Sequence, residues 1–347
     1  MADDSGDMAA LLAAALATSD RAGTSGTTDN RVDGVRRLSG GANMETWALD
    51  WHLGDQILPL ILRRMPAVCT GDTSTPQQIG AIDLATEASL ITLAASQGVS
   101  VPSNLLVLAE EHKLGTGYIM TRERGEALPP RILFDEKYAA AREKLAYQCG
   151  EALGRIHQIP LATMPEGLRN LSMGEDLDRL QGLLDKYGNA SAVHQLGLNW
   201  LRQNKPEDGR RCLVHGDFRN GNLLVDEQGL VAVLDWELAH IGDPAEDLGY
   251  ICGNVWRFGN TDKPVGGFGE YRDLLDGYQS VTGWAPSTDE MRYWEVYCAL
   301  GWGIVCLTMI DMYRSGQARS LERAAVGRRM SESEIDLLLL LEGELPL

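Results

Sequence analysis

The 347-residue chain is 44% hydrophobic and 23% charged, a globular composition long enough for two domains with their own cores, which excludes wholesale disorder and fibrous architectures. Its 31 basic against 49 acidic side chains give a formal charge of −18, which repels nucleic-acid backbones and anionic bilayers, so neither is expected as a partner. The six cysteines (Cys69, Cys149, Cys212, Cys252, Cys298, Cys306) form no C-x-x-C pair and no zinc spacing, and they read as reduced and mostly buried.

The chain opens with Asp3, Asp4 and Asp7 ahead of a short apolar run, Met8 to Ala17, that lacks the positive flank of a signal peptide, so a cytoplasmic location is expected. Residues 19–30 are small and polar, with too little apolar content to offset ordering entropy, and residues 1–30 are read as a flexible leader. From residue 31 the pattern is strand-rich. Thr46 to Trp51 and Ile57 to Arg63 flank a turn containing Gly54 and Asp55, as in a hairpin. A helix is predicted from Gln78 to Ala95, with Ile79, Leu84, Ala88, Ile91 and Ala95 on its apolar face, and Val107–Leu108 and Tyr118 to Thr121 complete a small sheet. This first domain, residues 31–124, gives way after residue 126 to a helical pattern that begins with Glu136 to His157.

Within the second domain, residues 125–347, the stretch 161–208 predicts short helices with turn signals at Gly174 and Gly188. Val296 to Ile310 carries no charge, yet it is shorter than the roughly 20 residues a membrane span needs, and it reads as a buried core helix. A capping-box pattern at Ser331 and Glu334 precedes five leucines, Leu337 to Leu341. That closing helix packs on the core or on a partner subunit, which leaves a homodimer open.

The chemistry concentrates in CLVHGDFRNGNLLVDEQGLVAVLDWELAHIGDPAEDLG, Cys212 to Gly249. Two apolar strands, Leu223 to Val225 and Leu230 to Leu234, are joined by the turn Asp226-Glu227-Gln228-Gly229, which brings Asn222 and Asp235 to one end of a hairpin. An amide oxygen beside a carboxylate is a hard-oxygen pair suited to Mg²⁺, which completes its octahedron with water and substrate phosphates. His215-Gly216-Asp217 ends a buried strand and adds a second carboxylate at the same edge. Asp243, followed by Pro244, and Asp247 read better as structural groups at a helix start than as further ligands.

Asp217 stands five residues before Asn222, the spacing of base and metal-binding amide in the kinase catalytic loop. Together with LDWE and IGDPAEDLG, the run HGDFRNGN resembles the aminoglycoside phosphotransferase and choline kinase-like superfamily. LSGGANMETW, LILRRMP and VLDWELAHIGDP are most similar to its subgroup of kinase-like domains fused to acyl-CoA dehydrogenases. The resemblance implies an α+β, bilobal protein-kinase-like fold, with a small antiparallel-sheet N-lobe and a larger, mainly helical C-lobe. It further implies a kinase that moves the γ-phosphate of ATP or GTP to a small-molecule hydroxyl. In that reading Asp217 deprotonates the acceptor, His215 braces the loop, and Asn222 and Asp235 hold Mg²⁺.

Ser39-Gly40-Gly41 would let backbone N–H groups approach the phosphates. Arg63-Arg64 stands where kinases carry the phosphate-pairing lysine; alternation lets only one of the two face a cleft, alignment favours Arg63, and Glu87 is then its ion-pair partner. Trp256, Arg257, Phe258, the loop Gly266-Gly267-Phe268-Gly269, Trp294 and Trp302 are candidates to line an acceptor pocket. The subgroup wording points to a hydroxyacyl-CoA or related hydroxy metabolite as acceptor. An aminoglycoside-type antibiotic kinase and a nucleotide-binding regulator without turnover are the alternatives. The second is disfavoured because Asp217, Asn222 and Asp235 are all present.

Overall fold

The computed structural model describes residues 3–25, 30–40, 44–65, 81–188, 191–206, 209–317 and 320–343. The chain divides into two compact units: Met1–Arg124 with Met164–Gly167 and Leu234–Leu238, and Gly125–Thr163 with Leu168–Val233 and Ala239–Leu347. The fold class is α+β, as the sequence implied.

The first unit contains α1 (Asp3–Leu16), α2 (Asp20–Ser25), β1 (Asn30–Gly40), β2 (Glu45–Leu53), β3 (Gln56–Met65), α3 (Leu84–Ser96), β4 (Asn104–Val107) and β5 (Thr116–Thr121). Its five strands pair antiparallel in the order β1-β2-β3-β5-β4. Strand alternation sorts β3 into two sets. Leu60 and Leu62 join Leu49, Trp51 and Ile119 in a core against α1, whereas Ile61 and Arg63 belong to the opposite face.

The amino-terminal segment corrects the reading of residues 1–30 as a flexible leader. Helix α1 buries Met8, Leu12, Ala15 and Leu16 against the sheet, and α2 follows it. In isolation the run Met8 to Ala17 is short and alanine-rich; its apolar stripe acquires a partner only once the sheet face exists. Residues 26–29 lie outside the described residues.

Helix α3 also starts later than the pattern from Gln78 predicted. Asp83 is the N-cap and accepts from the Ala85 and Thr86 amides at 3.0 and 2.9 Å. Gln78 and Ile79 lie outside the described residues.

The second unit contains α4 (Pro129–Phe134), α5 (Ala139–His157), α6 (Met173–Lys186), α7 (Ala192–Gln203), β6 (Cys212–Val214), β7 (Leu223–Asp226), β8 (Gly229–Val233), β9 (His240–Gly242), α8 (Ala245–Cys252), α9 (Tyr271–Thr282), α10 (Thr288–Ser315), α11 (Leu321–Gly327) and α12 (Met330–Glu342). Its core is organised on the 28-residue α10, whose Trp294, Val296, Leu300 and Ile304 meet leucines of α6, α7 and α12. Helices α5 and α9 pack at close range because Gly150 and Gly277 face backbone: a Cβ at either would lie 2.1 Å from a carbonyl oxygen of the other helix.

Three local expectations change. Gly174 falls inside the first turn of α6 instead of forming a turn, whereas Gly188, at φ +70°, does follow that helix. Ser331 lies within α12, which begins at Met330 with Arg329 in the cap position, so the capping box predicted there does not form. Boxes do form at Ser172/Glu175 and Ser287/Glu290, where the serine precedes the helix. Trp294 is core, and Arg257 is completely buried, donating to the Cys252 carbonyl at 2.8 and 3.1 Å with Glu295 at 3.4 Å. Arg257 is therefore interior, and Trp294, though core, also edges a small cleft beside Asp176, Asp243 and Glu246.

Candidate active site

The first unit builds a charged cluster around Arg63. Placed by alternation on the α3 face of β3, with Tyr118 as its cross-strand neighbour, its guanidinium lies 2.6 Å from Asp235, 2.9 Å from Glu237 and 3.6 Å from Glu87. Arg64 points the other way, to Glu45 at 2.9 Å and the face of Trp47. The pairing of Arg63 with Glu87 is therefore the one the sequence implied. Glu237, which received no role, stands two residues after Asp235 where the chain turns, so no strand alternation pointed to it.

Burial pushes the Glu87 carboxyl up to about 7, with Arg63 pulling it down and Asp235 adding to the rise. For Arg63 the charges of Glu87 and Asp235 outweigh burial and keep the guanidinium protonated. Glu87 also accepts from the Trp236 amide at 3.2 Å, and the Ile82 amide donates to the Glu237 carbonyl at 2.8 Å, which ties Leu234–Leu238 to α3 and its approach. Asp235 is one of only three non-glycine residues at positive φ among the described residues, at +66°. Such a conformation costs free energy and persists where the surroundings impose it, commonly at functional sites. Ser39 and Gly40 form the last rungs of the β1–β2 ladder, opposite Thr46 and Glu45. Gly41 lies outside the described residues.

The second unit builds the loop that carries Asp217. Strand β6 is fully buried and pairs antiparallel with β9, Val214 opposite His240, so the chain leaves the core at His215. The amides of His215 and Gly216 donate to the Asp247 carboxylate of α8 at 2.8 and 2.9 Å. Burial tends to raise the Asp247 carboxyl, but the hydrogen bond and charge of His157, 3.1 Å away, hold it below the ordinary carboxylate range. His215 is itself buried, stands edge-on to Phe218 and accepts from the Asp217 amide at 3.3 Å. Farther along, Asn220 donates to the Gly266 carbonyl at 2.8 Å. The loop is thus anchored before and after its carboxylate.

Asp217 is half enclosed by donors. Asn222 Nδ2 lies 2.5 Å from its Oδ2, Arg219 Nε 3.0 and 3.2 Å from its two oxygens, and the Tyr250 hydroxyl 3.0 Å from Oδ1. The Arg219 guanidinium stacks 4.6 Å above Trp256, so of the aromatic residues suggested for an acceptor pocket, Trp256 reaches this neighbourhood through Arg219. Sequence reading assigned no role to Arg219 or Tyr250, and only the proximity of Arg219 to Asp217 in the chain could have flagged either.

Each unit taken by itself carries an oxygen donor of the kind Mg²⁺ accepts. Asn222 spends its amide N–H groups on the Asp217 carbonyl and carboxylate, which leaves its amide oxygen to face a cation. Asp235 belongs to a group of three carboxylates around one guanidinium, an excess of negative charge that a divalent cation would offset. Among the described residues no three His, Cys, Asp or Glu side chains cluster as a metal cage.

A sheet-bearing unit and a mainly helical unit with an H-G-D-x-x-x-x-N loop define the class of kinase-like phosphotransferases. Residues 34–284 match the phosphotransferase enzyme family (APH), and the chain belongs to that family. Among solved structures, a Ralstonia eutropha protein provisionally assigned as an aminoglycoside phosphotransferase superposes with a TM-score of 0.71 at 19% identity, over 93% of this chain and 99% of that one. A thermostable mutant of aminoglycoside phosphotransferase APH(4)-Ia, in ternary complex with AMP-PNP and hygromycin B, does so with a TM-score of 0.59 at 17% identity, over 90% and 94%. Among curated proteins, acyl-CoA dehydrogenase family member 11 of Gallus gallus is 32% identical over 165 residues, 45% of this chain, and family member 10 of Mus musculus is 32% identical over 171 residues, 46% of this chain. The chain spans only 21% and 15% of the length of those two relatives.

Proposed function

We propose that this phosphotransferase moves the γ-phosphoryl group of ATP or GTP to a hydroxyl of a small molecule, with Asp217 as the base. The observation that carries the reading is the Asp217 carboxylate, fixed by Asn222, Arg219 and Tyr250 on a loop whose backbone is bolted to Asp247. As the acceptor oxygen bonds to γ-phosphorus and the bond to the β-bridging oxygen breaks, Asp217 takes the hydroxyl proton and the nucleoside diphosphate leaves. A positioned base contributes about 10²–10⁴-fold. His215 braces the loop through the Asp217 amide. In the first unit, Arg63 pairs with nucleotide phosphates, Glu87 holds Arg63, and the backbone at Ser39 and Gly40 approaches the phosphates. Asn222 and Asp235 would hold Mg²⁺, which supplies charge neutralisation at the transferring group.

For the acceptor we favour a hydroxyacyl-CoA or related hydroxy metabolite, on the likeness to the two acyl-CoA dehydrogenase family members. A polycationic antibiotic is the weaker reading. Two carboxylates near the aromatic loop are already paired, Glu270 with Lys263 at 2.7 Å and Glu295 with Arg257 at 3.4 Å, and an aminoglycoside needs carboxylates to receive its ammonium groups. We place the reaction in the cytoplasm.

The test is a panel of hydroxyacyl-CoAs, amino alcohols and aminoglycosides incubated with Mg²⁺ and ATP or GTP, with phosphorylated product detected by mass. Product from the hydroxyacyl-CoAs alone is the expected result; product only from aminoglycosides would move the acceptor to the antibiotic class, and nucleotide binding without any product would favour the regulator. Asp235→Ala is expected to weaken Mg²⁺-nucleotide binding by calorimetry, and an unchanged affinity would remove Asp235 from the metal site.

A further inference from the structure

We propose that Tyr250 is a positioning residue for the catalytic carboxylate: its hydroxyl holds Oδ1 of Asp217 while Asn222 holds Oδ2, and the two together set how the carboxylate faces the acceptor. The inference rests on Asp217 being the base. Asp247 and Tyr250 stand three residues apart on α8, on one face of that helix. The first holds the loop backbone through the His215 and Gly216 amides, and the second holds the Asp217 side chain through a 3.0 Å hydrogen bond to Oδ1. One short helix therefore sets both the position of the loop and the rotation of its carboxylate.

The other donors do not specify that rotation alone. Arg219 Nε lies 3.0 Å from Oδ1 and 3.2 Å from Oδ2, nearly equidistant, so its attraction changes little as the carboxylate turns. Asn222 holds Oδ2 at 2.5 Å and Tyr250 holds Oδ1 at 3.0 Å, so the two grip the carboxylate by opposite oxygens and together set its rotation. Burial, reinforced by the charge of Asp217, pushes the Tyr250 phenol well above its ordinary range, so the hydroxyl stays protonated and acts as a donor. Its ring is held 5.4 Å from Trp256, the same ring that carries the Arg219 guanidinium. Tyr250 is a positioning residue, because it acts through Asp217 and not on the substrate.

The test uses the full chain with ATP, Mg²⁺ and the member of the acceptor panel that turns over fastest, or water, read as ADP release, if none does. Tyr250→Phe keeps the ring against Trp256 and deletes one charge-assisted hydrogen bond, for which about a 10- to 100-fold loss in kcat is expected. KM for ATP and the melting temperature should stay near wild type. Wild-type kcat in Tyr250→Phe overturns the proposal. So does a loss carried by KM for ATP or by the melting temperature instead of kcat, which would mean that Tyr250 acts elsewhere. Wild-type turnover in Asp217→Asn alone would instead remove the base, and the orienting role with it. Should Tyr250→Phe fail to fold, a crystal structure of the wild-type chain decides: a Tyr250 hydroxyl beyond about 3.5 Å from both Asp217 oxygens overturns the proposal.

Discussion

Asp217→Asn is expected to abolish detectable phosphoryl transfer, a loss of about 10²–10⁴-fold or more, while the protein still melts close to the wild-type temperature. Asparagine occupies nearly the same volume but cannot accept the acceptor's proton. The anchors that hold the loop, Asp247 on the His215 and Gly216 amides and Asn220 on the Gly266 carbonyl, do not involve the substituted side chain. The substitution does turn an amide N–H toward donors that now face a carboxylate, so a loss of about 1–3 kcal/mol in stability accompanies it. Nucleotide binding should survive, because the Arg63 cluster belongs to the other unit. Mass detection of phosphorylated product together with a thermal melt checks the result; full activity would take Asp217 out of the mechanism.

Arg63→Ala is the second large effect. It leaves Glu87, Asp235 and Glu237 without their shared cation, and Glu87 is only 1% exposed. Removing one partner of a buried pair costs about 3–5 kcal/mol, and Glu87, already pushed up to about 7, would take up a proton. Nucleotide affinity is expected to fall by about 10- to 100-fold, in line with one charge-assisted phosphate contact and its loss of alignment. Arg64→Ala removes contacts to Glu45, the Leu114 carbonyl and Trp47 on the other side of the strand, and should leave the affinity within about threefold because no phosphate contact is lost. Calorimetric titration of both variants below their melting temperatures gives the order, and a larger loss for Arg64→Ala would transfer the role.

The legible parts of this molecule were those with a short period or a fixed spacing. Two-residue alternation put Arg63 and Arg64 on opposite faces and the likeness to the kinase pattern chose Arg63, while the β2–β3 hairpin and the β7–β8 ribbon followed from apolar runs around turn residues. The Asp217–Asn222 loop was legible because it is local, its side-chain contact closing over five residues. What escaped was tertiary. Tyr250 sits 33 residues beyond Asp217, with the strands β7, β8 and β9 between them. Arg257 was judged by its aromatic neighbours and proved to be an interior cation with Glu295 as counter-ion. The stripe of α1 could not be recognised before the sheet it covers, and Ser331 shows that a capping signature without a chain break before it is only a composition.

Leu234–Leu238 belongs to the sheet-bearing unit although the chain on both sides of it belongs to the helical one. During synthesis, the amino-terminal half would emerge with Arg63 and Glu87 in place but without Asp235, Trp236 and Glu237, so its charge cluster stays unfinished until the ribosome has passed Leu238. A fragment stopped at Arg124 would carry the same defect permanently, which makes this enzyme poorly suited to being cut into separately expressed halves.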